Sequence, residues 1–287
     1  RAKGKRMIGV VDVGGGLRGI YGAGVLDYCL DNGIQFHYCI GVSAGSANIA
    51  AYLAKQRGRN YRYYAEYSFR KEYMSTRNFF RKGSYIDLEY VYGTLAKADG
   101  EDPLNYTEIQ KSSSQIRVVA TNALTGKPLY FDNKAILQDD YHVLMASSCI
   151  PLVCRPFMVD GIPCYDGGLS DPVPIQKAFD DGCDKVVVIL TKPQNLLRKA
   201  KNDAIPARLL RKTYPKAAHA LKMRYKTYND GVALAEKYAK EDKALIVAPD
   251  TCCGMNTLTK NKACMDRMYQ KGLKDGVKIL DFLAYTE

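Results

Sequence analysis

The sequence predicts an α/β fold with a mainly parallel central sheet covered by helices, on three observations. An apolar run from Met7 to Val13 leads into Gly14-Gly15-Gly16 and a helix-like stretch, and a second run, Phe36 to Val42, leads into Ser43 and another such stretch. A third apolar run, Asp184 to Thr191, comes late in the chain. Short, nearly continuous apolar runs read as strands buried on both faces, and their alternation with helices at short spacing marks parallel βαβ units.

The elements follow in order. Met7–Val13 reads as a buried strand rather than the core of a signal peptide, in spite of the basic opening Arg1–Arg6, because Asp12 and three glycines interrupt it. Ile20–Leu30 has helical apolar spacing and stops at Asn32-Gly33. Ala44–Gln56 reads as a helix packed close to the sheet, since Ala47, Ala50, Ala51 and Ala54 give it a small-residue face. From Asn60 to Tyr106 tyrosine and phenylalanine alternate with basic residues, which predicts helices that interrupt the strand rhythm. These helices either pack on the sheet or form a mobile cover.

Strands are expected to resume at Ile116–Leu124 and Pro128–Phe131, followed by a helix at Tyr141–Ser147 and a loop from Ser148 to Asp171. A strand at Ala244–Ala248 and a final amphipathic helix at Asn261–Tyr285 complete the reading. Neither a repeat nor a clear linker divides the chain, which favours one compact domain with a C-terminal extension.

Composition narrows the class. The 287 residues are 47% hydrophobic and 25% charged, and no apolar run approaches the length of a bilayer span. Nine scattered cysteines lack the paired spacing of a zinc site, so reduced, mostly buried thiols in a reducing compartment are expected. The net charge is +12, and Lys192–Lys226 is strongly basic, with Asp203 as its single acid. Such a stretch is either a solvated helix face or a surface for anionic phosphate.

Two glycine turns carry the chemistry. Gly41-Val42-Ser43-Ala44-Gly45 falls at a strand–helix junction, where a tight turn exposes the serine hydroxyl and Gly41 and Gly45 remove clashing side chains. Gly14-Gly15-Gly16-Leu17-Arg18-Gly19 spells a dinucleotide fingerprint. However, the second strand ends in Gly41-Val42-Ser43 where that fold needs an acid, and Asp31 comes too early. The turn suits instead an oxyanion loop, with Gly15 and Gly16 as amide donors and Arg18 either bracing the loop or drawing an anionic head group.

These turns, followed in order by Asp166-Gly167-Gly168 and joined by Ala146–Pro151 and Leu169–Pro174, resemble the patatin-like phospholipase family over much of residues 7–190. The resemblance implies a three-layer α/β/α fold, with a catalytic region at 7–200 and a C-terminal α-rich extension at 201–287. It also implies lipid acyl-ester hydrolysis through a Ser-Asp dyad, with no metal and no other cofactor. Ser43 would be the nucleophile and Asp166 the base, with Gly15 and Gly16 as the oxyanion hole and Gly14, Arg18, Gly19, Gly41, Gly45, Gly167 and Gly168 as motif support. One departure stands out: Val13 occupies the position before the glycines where the family carries an acid, and Asp12 lies one step earlier.

A histidine triad would need the order Ser-Asp-His, which only His219 satisfies, and it lies in the basic stretch; His37 and His142 precede Asp166. The leading expectation is a phospholipase-like serine hydrolase of cytoplasmic location, with peripheral contact to an anionic membrane and export both left open. The alternative is a lipid-binding or scaffolding module of the same fold. Nucleic acid is not an expected partner, because the basic region lacks a base-stacking motif.

Overall fold

The computed structural model describes residues 6–285; the opening Arg1–Lys5 and the last two residues lie outside it. The strands are β1 Ile8–Asp12, β2 Tyr38–Val42, β3 Gln115–Asn122, β4 Pro128–Phe131, β5 Phe157–Val159, β6 Ile162–Asp166, β7 Lys185–Ile189 and β8 Ala244–Val247. The first α-helices are α1 Ile20–Asp31, α2 Ala44–Leu53, α3 Arg59–Ala65, α4 Thr76–Lys82, α5 Tyr106–Lys111 and α6 His142–Ser147. They are followed by α7 Ile175–Asp180, α8 Ala204–Leu210, α9 Pro215–Lys240, α10 Lys262–Asp275 and α11 Val277–Ala284.

One sheet runs β5-β6-β3-β2-β1-β7-β8, with β4 also paired to β3. The pairings β3–β2, β2–β1, β1–β7 and β7–β8 are parallel, and those of β4, β5 and β6 are antiparallel. The sheet is therefore mixed, parallel through its middle. Alternate side chains divide between two cores. Val10, Cys39, Val187 and Ile189 join α1, α2 and α10 on one face. Val11, Ile40, Val186 and Val188 join α7 and α9 on the other. This period of two is what makes the continuous apolar runs three-layered.

β3 organises the region that matters most. Along one edge it pairs first with β2, ending at Val42–Val119, and then with β6, beginning at Ala120–Asp166. β4 takes the other edge, over Val118 to Thr121. Consecutive residues of β3 thus register the end of β2 and the end of β6.

Two sequence expectations change. The expected loop from Ser148 to Asp171 contains the hairpin β5–β6, turning at Asp160-Gly161. Its strands are too short to show a clear alternation. The expected final helix is two helices, α10 and α11, which meet at Gly276, where a side chain would strike the Tyr28 ring. The strand expected at Ala244–Ala248 forms as β8, the edge strand next to β7. Contact between α1 and α10 is intimate: a methyl on Gly24 would stand 2.3 Å from the Tyr269 carbonyl, and one on Gly272 would stand 2.1 Å from that of Tyr21. All nine cysteines are unbridged and most are buried.

Candidate active site

Ser43 sits between β2 and α2 with φ 57° and ψ −129°, a backbone conformation that side-chain-bearing residues rarely adopt. Neighbours hold it there. Its amide donates to Ser147 Oγ at 2.9 Å, and Ser147 Oγ donates to the Val119 carbonyl at 2.6 Å, which ties the turn to β3. Ser46 Oγ donates back to the Ser43 carbonyl at 2.7 Å. Gly45 has no room for a side chain, as a Cβ there would lie 2.2 Å from the Asp12 carbonyl oxygen. The turn is thereby clamped with Ser43 at the start of a helix, where the peptide dipoles favour negative charge.

Asp166 ends β6, one register step beyond the pair that ends β2. It is 3% exposed, its amide donates to the Cys149 carbonyl at 2.9 Å, and its Oδ1 accepts from the Gly168 amide at 2.7 Å. Burial pushes its carboxyl above the ordinary range. The Arg224 guanidinium, the Ser43 hydroxyl and the Gly168 amide act in the opposite direction.

The glycine run forms the third part. Gly14, Gly15 and Gly16 have φ of 67°, 120° and 59°, a run of left-handed backbone that glycine alone adopts freely. The Gly15 and Gly16 amides donate to no acceptor among the described residues, while Leu17 donates to the Thr257 carbonyl at 2.8 Å and locks the loop. Thr191 Oγ1 donates to the Gly14 carbonyl from beyond the end of β7.

Asp12, read from sequence only as a displaced acid, is fully buried at the end of β1. It accepts from the Gly14 amide at 3.0 Å and from Asn48 Nδ2 at 3.0 Å. Burial raises its carboxyl to about 6, and both of these bonds lower it. Asp12 therefore anchors the run from below, and Val13 leaves the loop intact.

Two cavities meet at Ser43. One, of about 220 Å³, is lined by the three glycines, Ser43 and Asp166, with Arg18, Lys192, Arg198 and Arg224. The other is apolar, with Tyr64, Tyr73, Met74, Leu88, Val91 and Tyr92 from the aromatic segment between α2 and α5. That segment folds into α3, α4 and a π-helix at Glu89–Thr94. Gly16, Ile150, Thr257 and Leu258 are common to both cavities.

The structure thus brings together Ser43, Asp166, Gly15 and Gly16, with Arg18 beside them; Gly19, Gly41 and Gly167 lie in the supporting turns. His219 lines a separate surface groove with Gly126 and Met223. His37 accepts from the Ile8 amide at 3.1 Å, and His142 pairs with Asp140. Sequence reasoning missed Thr191, Tyr228 and Thr257, which carry no local motif, and gave Ser147, inside the Ala146–Pro151 match, no role of its own. It counted Lys192, Arg198 and Arg224 into a basic surface, although all three turn into the cavity.

Residues 214–284 match a family described as a domain of unknown function (DUF6363). The uncharacterized protein YjjU of Escherichia coli strain K12 is 32% identical over 204 residues, which cover 66% of this chain and 53% of that protein. The chain thus spans about half the length of that relative. The crystal structure of VipD from Legionella pneumophila superposes with a TM-score of 0.49 at 15% identity, covering 96% of this chain and 67% of VipD. Residues 13–179, more than half of the sequence, match the family described as patatin-like phospholipase. On that match, the chain belongs to the patatin-like phospholipase family, at whose level lipid acyl hydrolysis is the activity.

Proposed function

We propose that the chain is a serine acyl hydrolase that cleaves acyl esters of phospholipids or related lipids through a Ser43–Asp166 dyad and an acyl-enzyme. The observation that carries this is the convergence, in one cavity, of a strained serine turn, a buried carboxylate and two unengaged amides. Asp166 takes the Ser43 proton as Ser43 Oγ attacks the ester carbonyl, and the Gly15 and Gly16 amides receive the oxyanion. The acyl carbon–oxygen bond to the alcohol breaks, and that oxygen leaves with the proton from Asp166. Water then attacks the acyl-enzyme, giving its proton through Asp166 to Ser43 Oγ, and a fatty acid is released. Desolvation makes Asp166 a stronger base than an exposed carboxylate, which supports its role without a histidine.

The apolar cavity, about 60 Å³, suits the part of the acyl chain next to the ester. Peripheral contact with an anionic membrane is supported by the segment before α9. There Leu196, Leu197, Ile205 and Leu209 are exposed among Lys199, Lys201, Arg208, Arg211 and Lys212, while Arg198 and Asp203 of the same segment line the cavity. No helix among the described residues is long and apolar enough to cross a membrane.

Labelling of the native protein with a fluorophosphonate tests the assignment. Labelling at Ser43, and loss of esterase activity in Ser43→Ala and Asp166→Asn, are expected. An unlabelled Ser43, or a fully active Ser43→Ala, would remove the hydrolase reading and leave the lipid-binding module.

A further inference from the structure

The cavity at Ser43 holds more positive charge than acyl transfer uses. Four cationic side chains line it, Arg18, Lys192, Arg198 and Arg224, beside two carboxylates, Asp166 and Asp203. Asp203 is already engaged at both oxygens by Arg198, at 2.9 and 2.7 Å. Asp166 accepts from the Gly168 amide. Among the described residues Arg18, Lys192 and Arg224 therefore have no carboxylate within ion-pair distance, and Arg198–Asp203 is the one salt bridge in the cavity wall.

Arg18 Nε is sealed from solvent and has no acceptor. The Lys192 ammonium stands over the Tyr228 ring, 4.1 Å from its centre. Unpaired cations gathered in a sheltered site repel one another and lose hydration, an arrangement that an entering anion relieves.

The charges come from both family-matched regions and the chain between them. Arg18 follows the glycine run, and Lys192 and Arg198 follow β7. Arg224 and Tyr228 are one turn apart on α9, inside residues 214–284. Thr257 and Leu258 of that same region reach the point where the two cavities meet. The second region therefore builds one wall of the first region's pocket.

We propose that the Arg18–Lys192–Arg198–Arg224 cluster seats a phosphate monoester on the alcohol portion of the substrate, and that residues 214–284 serve to complete this seat. The proposal rests on the acyl-hydrolase reading of Ser43 and names its substrate class: acyl esters whose leaving alcohol ends in a phosphate. The acyl chain lies in the apolar cavity, the ester carbonyl at Ser43 and the phosphate among the cations, and the phosphate leaves intact on the alcohol. Guanidinium groups suit this group because their forked donors match phosphate oxygens. A quaternary ammonium head group would meet four cationic side chains in the same wall, and Lys192 already covers the Tyr228 ring face that would attract it.

Lys192 sharpens the expectation. Burial and the charges of Arg18, Arg198 and Arg224 bring its ammonium down to about 7, with Cys252 acting weakly the other way. A dianion seated beside it restores the proton, so binding above neutrality takes up protons from solution.

The test has two arms on the full chain. In the first, Ser43→Ala is titrated calorimetrically at pH 8 with inorganic phosphate and with glycerol 3-phosphate, in two buffers of different ionisation heat. Binding with proton uptake is expected, weakened about tenfold or more by Arg224→Gln and by Lys192→Met. Melting temperatures report whether each variant is folded. Absence of binding, or binding that both folded variants retain, overturns the seat.

In the second arm, fatty-acid release by the unaltered chain is compared for 1-oleoylglycerol 3-phosphate, 1-oleoylglycerol and 1-oleoylglycerophosphocholine. A kcat/KM about tenfold or more higher for the first is expected, with that ratio collapsing through KM in Arg224→Gln. Equal rates overturn the substrate class. Phosphate binding without hydrolysis of any of the three retains the anion seat for a free phosphate compound and removes the hydrolase reading beneath it.

Discussion

The guanidinium of Arg224 is the strongest charge acting on the buried Asp166 carboxyl, and it acts from beyond ion-pair distance, from a helix outside the segment that carries the serine, glycine and aspartate motifs. Burial raises Asp166 and Arg224 restrains the rise, so the ionised base depends on both. On the proposed dyad, activity requires the carboxylate and should increase with pH through an acid limb lying above the ordinary carboxylate range. In Arg224→Gln the restraint is gone and the limb should move to higher pH. The pH dependence of kcat/KM on a neutral, water-soluble ester measures this, and a limb that moves down would contradict the electrostatic account.

Asp12 predicts a second pH effect, on stability. Its carboxyl is raised from 3.8 to about 6 by burial. Below the lower value both states are protonated and the contribution is complete. Between the two values the unfolded chain has released its proton and the folded chain has not, so stability falls as pH rises, by up to about 3 kcal/mol, and levels off above. Denaturant unfolding from pH 4 to 7 should show this slope, and Asp12→Asn should flatten it. The same variant should lose about 1–3 kcal/mol at pH 5, because an amide cannot accept from both Gly14 and Asn48.

Gly45→Ala should nearly abolish activity. The added methyl must displace the Asp12 carbonyl, which stands 2.2 Å from its position, and with it the floor of the glycine run. A loss of about a hundredfold in kcat/KM is expected from the misplaced serine. Ester turnover beside a circular-dichroism melt separates this from unfolding.

Vesicle flotation tests the membrane face. Ile205 and Leu209 lie one turn apart on α8, 73% and 60% exposed. Replacing either with aspartate removes about 2 kcal/mol of apolar burial and adds a repelled charge, so binding to anionic vesicles should fall about tenfold or more. Full retention of binding by the double variant would place the contact elsewhere.

Gly272→Ala should cost about 2 kcal/mol or more, read by chemical denaturation, because its methyl would overlap the Tyr21 carbonyl where α10 crosses α1.

The middle of the fold was legible because burial on both faces writes strands as apolar runs and glycines mark the turns that follow them. The turns that bring Ser43, Gly15 and Gly16 to one cavity were legible because they take backbone shapes that few residues can adopt, whereas Asp166, in ordinary extended backbone, was picked out by the family resemblance. Residues acting across the chain were not. Ser147 holds Ser43 only because α6 packs beside β3, and Thr191 reaches Gly14 only because β7 pairs with β1. Arg224 looked like one more charge in a basic stretch, since α9 sets its direction and sequence spacing does not name the cavity it enters. The hairpin β5–β6 escaped because strands of three and five residues offer too little alternation to recognise.

β3 makes the spacing of serine and aspartate a matter of counting rather than of flexible reach. With β2 and β6 laid end to end on one edge, Val119 and Ala120 fix where each arriving strand stops. Sliding β6 by two residues would keep its faces correct yet carry Asp166 about 7 Å away. Residues added at the Asp160-Gly161 tip would leave that count untouched. A longer hairpin tip is therefore tolerable, whereas an insertion between Val119 and Ala120 would part Ser43 from Asp166 while leaving every motif in the sequence intact.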